Sequence, residues 1–291
     1  MGVPELQPQL RHFRSLTPNG FHRVAYWEWG ARDADQTVVC VHGLTRNGRD
    51  FDEVARALVA DGARVVCPDV VGRGKSDWLD DAALYAIPTY CADLAALIAR
   101  LDVEAVDWVG TSMGALIGMA LAAQPETPIR RLVLNDIGPF VPKESLARLA
   151  SYVGVGPRDF ATLDELEALI RRVSAPFGPL TDAQWRYLTE TTARKRDDGR
   201  WELAYDAKIG EAFRSAGDKD IALWFFWDAI TAPVLSLRGA TSDVFPRAVQ
   251  DEMQKRKPSM QRVEFPECGH APALLVPHQI EPIRKFLSTP I

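Results

Sequence analysis

Short apolar runs alternate with segments of helical spacing along most of this 291-residue chain. Alternation of this kind predicts an α/β fold, with a mostly parallel sheet flanked by helices. The apolar runs that predict strands lie at residues 22–30, 37–43, 63–69, 105–110, 130–136, 232–239 and 261–269. The apolar positions that recur with a helical period predict helices at residues 51–62, 89–101 and 113–124, and from about residue 278 onward.

The first predicted strand follows a Pro-Asn-Gly sequence at residues 18–20. These three residue types are the ones that tight turns favour, each for its own backbone or hydrogen-bonding reason. The sequence therefore predicts an antiparallel hairpin at the start of the sheet.

Residues 141–217 differ from the rest, because the sequence there carries several helical patterns and no β-like run. A helical block between two strands of a sheet is typical of a cap inserted into an α/β core. We therefore expect a core of residues 1–140 and 217–291, and a helical cap of residues 141–216. Such a cap would shape a substrate pocket, since ligands of α/β proteins bind beyond the carboxyl ends of the strands. The alternative is an insertion without a functional role.

The stretch DWVGTSMGALIGMALAAQPE, residues 107–126, permits two interpretations. Its inner residues carry no charge, and glycines at positions 110, 114 and 118 have the spacing of small residues in packed membrane helices. The same letters contain G-T-S-M-G, the pattern of a nucleophile elbow, in which a serine lies on a sharp turn between a strand and a helix. The hydrophobic period changes within the stretch, which no single membrane helix explains. We therefore expect a strand, a turn at Ser112 and a helix, and no membrane span.

Composition and charge narrow the class of protein. Hydrophobic residues make up 47% and charged residues 25% of the chain, as in ordinary globular proteins. The formal net charge of −5 argues against a nucleic-acid partner, which requires a basic surface. The four cysteines show no paired spacing, and the chain start has no apolar segment after a basic one, so no signal peptide is expected. These features favour a cytoplasmic protein with a small-molecule substrate, and they leave the oligomeric state open.

Ser112 is the candidate nucleophile, and a serine hydroxyl attacks a carbonyl only when a base removes its proton. For an elbow serine, the acid and then the histidine are expected to follow in the chain. The histidines after Ser112 are His270 and His278. His270 comes directly after the last predicted strand, where a loop carries it over the sheet edge, whereas His278 begins the closing helix and is expected at the surface. We therefore predict His270 as the general base.

Two aspartates compete for the position of the acid that orients this base. Asp243 follows one predicted strand by four residues, and Asp136 ends another. Either carboxylate would reach the far nitrogen of the imidazole. Asp243 is favoured, because a flexible loop before a proline-started helix suits a side chain aimed at His270. Asp136 is the alternative acid, or otherwise a residue that lines the substrate pocket or belongs to a cap hinge.

Acyl transfer also needs two backbone N–H groups, an oxyanion hole, aimed at the developing negative charge. Met113 follows the nucleophile at the start of a helix and supplies one of them. Leu44 follows His42 and Gly43 after a buried strand, and is expected to supply the other. His42 precedes the serine in the chain, and we expect it to support this loop rather than to act as a base.

Five motifs together resemble those of the α/β-hydrolase superfamily, and they span nearly the whole chain. They are V-x-V-H-G-L at 39–44, P-D-x-x-G-R-G-x-S-D at 68–77, G-T-S-M-G at 110–114, L-R-G-x-x-S-D at 237–243 and G-H-A-P at 269–272. The resemblance implies an α/β-hydrolase fold and no metal or organic cofactor. It also implies a triad of Ser112, Asp243 and His270, with the oxyanion hole at Leu44 and Met113.

The reaction that the resemblance implies is hydrolysis of a carboxylic ester or lactone of a small to medium apolar substrate through an acyl-enzyme. Relatives with the same triad cleave C–C bonds of ring-fission diketo acids, and others are slow-turnover small-molecule receptors. A C–C hydrolase needs extra positive groups for its substrate. The cap does carry arginines, although exposure on helix surfaces explains them more simply: Arg148, Arg171, Arg172 and Arg186.

Four further residues have a structural or a binding interpretation. In relatives the loop that carries Asp69 and Arg73 is chiefly structural, so the resemblance gives neither residue a catalytic role. Trp185 in the cap and Trp224 after it belong to an aromatic group that would line an apolar substrate pocket. Packing in the core or at a hinge is the alternative for both tryptophans.

Overall fold

One large sheet dominates the computed structural model, which describes residues 7–215 and 219–290. Its strands and those of two small sheets are β1 (Gln9–Thr17), β2 (Gly20–Trp29), β3 (Thr37–Val41), β4 (Arg64–Asp69), β5 (Val106–Thr111), β6 (Ile129–Asn135), β7 (Phe140–Val141), β8 (Asp159–Phe160), β9 (Ala193–Lys195), β10 (Trp201–Leu203), β11 (Ile221–Ala222), β12 (Val234–Gly239) and β13 (Gln261–Phe265). The large sheet has the order β1-β2-β4-β3-β5-β6-β12-β13. From β4 to β13 every neighbouring pair is parallel. The carboxyl ends of these strands therefore meet at one edge.

Helices cover both faces of this sheet. The helices are α1 (Asp52–Ala60), α2 (Ile87–Arg100), α3 (Met113–Ala122), α4 (Lys143–Ala150), α5 (Leu163–Val173), α6 (Asp182–Thr192), α7 (Lys208–Ser215), α8 (Trp224–Ala229), α9 (Arg247–Arg256) and α10 (Pro277–Ser288). Apolar residues of α1 and α10 pack against one face, and those of α2, α3 and α9 against the other. Because both faces are covered, β3, β4 and β12 are buried along their whole length, which explains their continuous apolar runs.

The expected fold class is confirmed, and so is the hairpin at the start of the sheet. β1 and β2 pair antiparallel around the turn before Gly20, which has a φ of +115°. The first six residues, which the signal-peptide expectation also concerns, lie outside the described part of the chain. Within the described residues, every helix is too short or too polar to cross a bilayer.

The segment between β6 and β12 contains the helices that the sequence predicts, α4 to α7, but the expectation that it holds no strand is wrong. β8, β10 and β9 form a small antiparallel sheet in that order. Each of these strands is only two or three residues long, too short to leave a periodic pattern in the sequence. The division into a core and a cap stays a prediction, and its boundary at residue 216 lies outside the described residues.

Candidate active site

Ser112 lies on a strained turn between β5 and α3. Its backbone has a φ of +50° and a ψ of −114°, a conformation that residues other than glycine rarely adopt. The turn needs two glycines, because a Cβ on Gly110 would lie 2.4 Å from the backbone nitrogen of Ala115, and one on Gly114 would lie 2.0 Å from the carbonyl oxygen of Val41. The predicted strand, turn and helix are therefore present, with the serine at the strained position.

Gly118 completes the spacing that had suggested a membrane helix. A Cβ there would lie 2.2 Å from the indole nitrogen of Trp108, which donates a hydrogen bond to the carbonyl of Gly114 at 3.0 Å. The three glycines thus allow α3 to pack closely on β5 and on the tryptophan side chain. Close packing of a helix on a sheet explains their regular spacing.

His270 lies in the loop after β13 and reaches the serine. Its Nε2 is 3.0 Å from Ser112 Oγ, and its Nδ1 is 2.8 Å from Asp136 Oδ2. A carboxylate accepts from Nδ1–H, so Nε2 carries a lone pair that accepts the serine proton. His278, by contrast, is exposed and bonds Glu267 at 2.7 Å, as a surface residue would.

The acid beside His270 is Asp136, and not Asp243 as the sequence favoured. Asp136 directly follows β6, is fully buried and has a φ of +58°. Its Oδ1 accepts from the N–H of Gly239 at 2.7 Å, and its Oδ2 accepts from Ser242 Oγ at 2.5 Å as well as from the imidazole. Three donors therefore fix the orientation of this carboxylate without any need for solvent.

Asp243 points to the surface and pairs with the helix that follows β7. Its carboxylate accepts from Arg148 on α4 at 2.5 Å and 3.0 Å, and its side chain is 49% exposed. The turn in which the N–H of Ser242 bonds the carbonyl of Gly239 directs the serine inward and the next residue outward. Asp243 therefore makes no contact with the imidazole, and Asp136 occupies the position of the acid.

Both residues predicted to form the oxyanion hole lie at the cavity that contains the serine. Leu44 follows β3, Met113 begins α3, and both line the cavity that contains Ser112 and His270. Within the described part of the chain, neither backbone N–H donates to a protein acceptor. The start of α3 also presents the positive end of its helix dipole to this position.

His42 supports the loop that carries Leu44. Its Nδ1 donates to the carbonyl of Gly43 at 2.7 Å, and its Nε2 accepts from the N–H of Val70 at 2.9 Å. Burial lowers the pKa of His42 to about 3, so the ring is neutral near pH 7 and both its nitrogens are occupied. This arrangement agrees with a supporting role and leaves His42 no free nitrogen to act as a base.

Arg73 lies fully buried behind the same loop. Its guanidinium donates to the carbonyls of Leu44 at 2.9 Å and Val71 at 2.7 Å, and to the Tyr90 hydroxyl at 2.9 Å. It also contacts the sulfur of Met113 at 3.4 Å. No carboxylate of the described residues lies within ion-pair distance. A buried cation without a counter-charge is costly, and this one touches both residues of the predicted oxyanion hole.

The cavity above the serine has a volume of about 370 Å³. Most of its lining is apolar, from α3, α4, α7 and the loops at the strand ends, and includes Leu116, Leu146, Leu149, Phe177, Ile209 and Val244. The predicted pocket residues Trp185, Trp224 and Asp136 are not among the described residues that line this cavity, which therefore gives that prediction no support. Trp185 packs beneath Arg171 and Trp224 beneath Arg256, while Asp136 lies behind the imidazole.

Two polar residues of the site were missed by sequence reasoning. Ser242 donates to Asp136, and Asn135 ties the elbow to the histidine loop. The Asn135 carbonyl accepts from the N–H of Ser112 at 3.0 Å, and its amide donates to the carbonyl of Pro272 at 2.9 Å. The position of Asn135 in the sequence could have identified it, because it ends β6, the strand that pairs with β5 next to the serine turn. Among the described residues, no group of three or more His, Cys, Asp or Glu side chains is arranged to hold a metal ion.

Known proteins resemble this chain along nearly its whole length. The family described as alpha/beta hydrolase fold matches residues 36–275. A 3-hydroxybutyrate-oligomer hydrolase of Cupriavidus necator is 45% identical over 289 residues, covering 97% of this chain and 98% of that protein. An esterase of Mycobacterium tuberculosis is 28% identical over 273 residues, covering 91% and 87%. The crystal structure of an alpha/beta hydrolase from Novosphingobium aromaticivorans superposes with a TM-score of 0.86 at 35% identity, covering 98% of this chain and 99% of that one.

Proposed function

Since the chain belongs to the α/β-hydrolase family and is a hydrolase, we propose that it is a serine esterase acting on short oligomers of 3-hydroxybutyrate. The observation that carries the proposal is the hydrogen-bonded chain from Ser112 through His270 to Asp136 beneath an apolar cavity. The oligomer hydrolase of Cupriavidus necator, similar over nearly the whole length, supports the choice of ester.

The chemistry follows from the positions of these groups. His270 Nε2 takes the proton of Ser112 as Oγ bonds to the ester carbonyl carbon, and the N–H groups of Leu44 and Met113 stabilise the negative oxygen. Asp136 stabilises the imidazolium, which then gives its proton to the leaving alcohol oxygen as the C–O bond breaks. A water molecule, deprotonated by the same imidazole, attacks the acyl-serine and releases the acid. This sequence uses side chains and backbone amides alone.

The size of the cavity supports short oligomers as substrates. Its 370 Å³ lies within the range of small-molecule sites. At roughly 20 Å³ per non-hydrogen atom, the packing density of protein interiors, this volume holds about 18 such atoms. A 3-hydroxybutyrate dimer has about 13 and a trimer about 19 on the same count. A dimer therefore fits and a trimer would fill the cavity completely, and the methyl groups along them suit an apolar lining.

The alternative reaction, C–C bond cleavage of diketo acids, finds no support in the cap arginines. Arg148, Arg171 and Arg186 are ion-paired with acidic residues, and Arg172 is exposed. None of the four lines the cavity as described. The extra positive charges that such a substrate needs are therefore not supplied by the cap.

The test is turnover of the free dimer and trimer of 3-hydroxybutyrate, followed by chromatography of the released monomer. Repeated turnover is expected from the natural enzyme, whereas a slow receptor would release about one equivalent. Ser112→Ala should abolish both turnover and labelling by a fluorophosphonate probe, because Ser112 is the hydroxyl that bonds His270 among the described residues. Ser151→Ala, an exposed serine at the end of α4, is the matched control. Labelling that survives in Ser112→Ala would contradict the assignment of the nucleophile.

A further inference from the structure

One ion pair lies in the wall of the otherwise mostly apolar cavity. Arg46 Nε and Nη2 donate to the two carboxylate oxygens of Asp50 at 2.8 Å and 2.6 Å. The Arg46 side chain is only 9% exposed and that of Asp50 is 18% exposed. Among the described lining residues, these two and His270 are the arginine, lysine, histidine, aspartate or glutamate side chains.

Arg46 lines the cavity, and part of its guanidinium is not used by the pair with Asp50. The carboxylate of Asp50 uses Nε and Nη2, while Nη1 has no hydrogen-bond partner among the described residues. A cation left with free N–H groups in an apolar space gains substantially from an acceptor, since water cannot fully replace it there. The free nitrogen is therefore a binding group for a ligand oxygen.

Arg46 and the nucleophile flank the same glycine. A Cβ on Gly43 would lie 3.7 Å from Ser112 Cβ and 3.9 Å from Arg46 Cγ. The two side chains thus start on either side of the oxyanion loop and enter one cavity. A group bound to Arg46 therefore lies close to an ester held at the serine.

The surroundings of this loop are more positive than the ion pair alone suggests. Arg73, buried and without a carboxylate partner in the described chain, donates to the carbonyl of Leu44, two residues before Arg46. Its charge adds to that of Arg46, while Asp50 neutralises only one of the two. This end of the cavity therefore favours an anionic group over a neutral one.

We propose that Arg46 binds the free carboxylate of an acid-ended ester, so that the enzyme cleaves the ester bond next to the carboxyl end of its substrate. The inference rests on the proposed function. In a hydroxyacid oligomer the terminal carboxylate is about three bonds, on the order of 4 Å, from the nearest ester oxygen. Arg46 is thus a specificity residue that selects free acids and releases one hydroxyacid at a time from that end.

The experiment compares two substrates that differ in one charge, the free dimer of 3-hydroxybutyrate and its methyl ester. In Arg46→Met, kcat/KM for the free acid should fall about 100-fold, since a charge-assisted hydrogen bond is lost. The value for the methyl ester should stay within about threefold of the natural enzyme. Arg46→Lys should retain an intermediate preference, because it keeps the charge but not the geometry. Arg172→Met, which removes an exposed arginine that does not line the cavity as described, is the control for both substrates.

A second variant moves the preference in the opposite direction. Asp50→Asn keeps the size of the side chain and one acceptor but removes the negative charge. The ratio of kcat/KM for the free acid to that for the methyl ester should therefore rise several-fold. An Arg46→Met variant that slows both substrates equally, or neither, would overturn the proposal and leave Arg46 as a support of the loop. Turnover of the methyl ester by the natural enzyme keeps this outcome distinct from failure of the proposed esterase function.

Discussion

Replacing Asp136 by asparagine should disable the enzyme without disturbing its shape. The amide keeps the carbonyl oxygen for one donor but turns an N–H toward His270 Nδ1, which accepts a hydrogen bond only when it is unprotonated. The ring proton then moves to Nε2, and the nitrogen that faces Ser112 is no longer a base. In a serine-protease triad this tautomer costs about 10⁴-fold in kcat. The same factor corresponds to about 5.5 kcal/mol in the activation free energy.

The matched variant is Asp243→Asn, which removes the carboxylate that the motif pattern favoured. Its pair with Arg148 is half-exposed, and exposed ion pairs contribute about 0–1 kcal/mol. We therefore expect kcat within about fivefold of the natural enzyme. Steady-state hydrolysis of p-nitrophenyl butyrate gives kcat for both variants, and thermal unfolding shows whether each is folded. A large loss in Asp243→Asn with near-normal kcat in Asp136→Asn would refute the assignment of the acid.

Three further outcomes follow from close packing and from buried charge. Gly114→Ala should lower the free energy of unfolding by about 1–3 kcal/mol or more, measured in urea, since its Cβ meets a backbone oxygen at 2.0 Å; Gly43→Ala, with 3.7 Å of room, should unfold like the natural protein. Arg73→Met should lower kcat by about tenfold or more while KM changes little, because the loss concerns the developing oxyanion; an effect on KM alone would contradict this. Desolvation raises the pKa of Asp69 from 3.8 to about 6, so the folded state binds this proton more tightly. Protonated Asp69 therefore contributes its full share to the free energy of unfolding below about pH 4. This share, about 3 kcal/mol in total, is lost as the pH rises through 6. The difference in unfolding free energy between the natural protein and Asp69→Asn should change over this range, and a difference independent of pH would be contrary to expectation.

The sequence predicted the large sheet because its central strands are buried on both faces and leave continuous apolar runs. It also predicted the positions of Ser112 and His270, since Ser112 directly follows a recognisable strand and His270 lies in the loop after another. The small strands β8 to β10 escaped prediction because two or three residues do not establish a period. The hydrophobic pattern therefore predicts an element correctly where the whole element is buried.

The identity of the acid and of the pocket residues depends on the direction in which each side chain points, and the spacing of residues in the sequence does not give that direction. In the loop after β12, one backbone turn directs Ser242 inward to Asp136 and Asp243 outward to Arg148. Trp185 and Trp224 lie on helices, but the ring of Trp185 packs against Arg171 and that of Trp224 against Arg256, and neither ring lines the cavity as described. Residue type identified the candidates in both cases, and only the packed structure distinguished among them.

The carboxylate of Asp243 attaches helix α4 to the loop after β12 and makes no contact with the imidazole. Helix α4 grips that loop twice, through Ser145 to the Asp243 carbonyl and through Arg148 to its carboxylate. Because Asp136 follows a different strand, β6, neither of these two contacts involves Asp136, His270 or Ser112. Dissolved salt weakens exposed ion pairs far more than buried ones, so we expect ionic strength to weaken the attachment of α4 to this loop and to leave the contacts among Asp136, His270 and Ser112 unchanged.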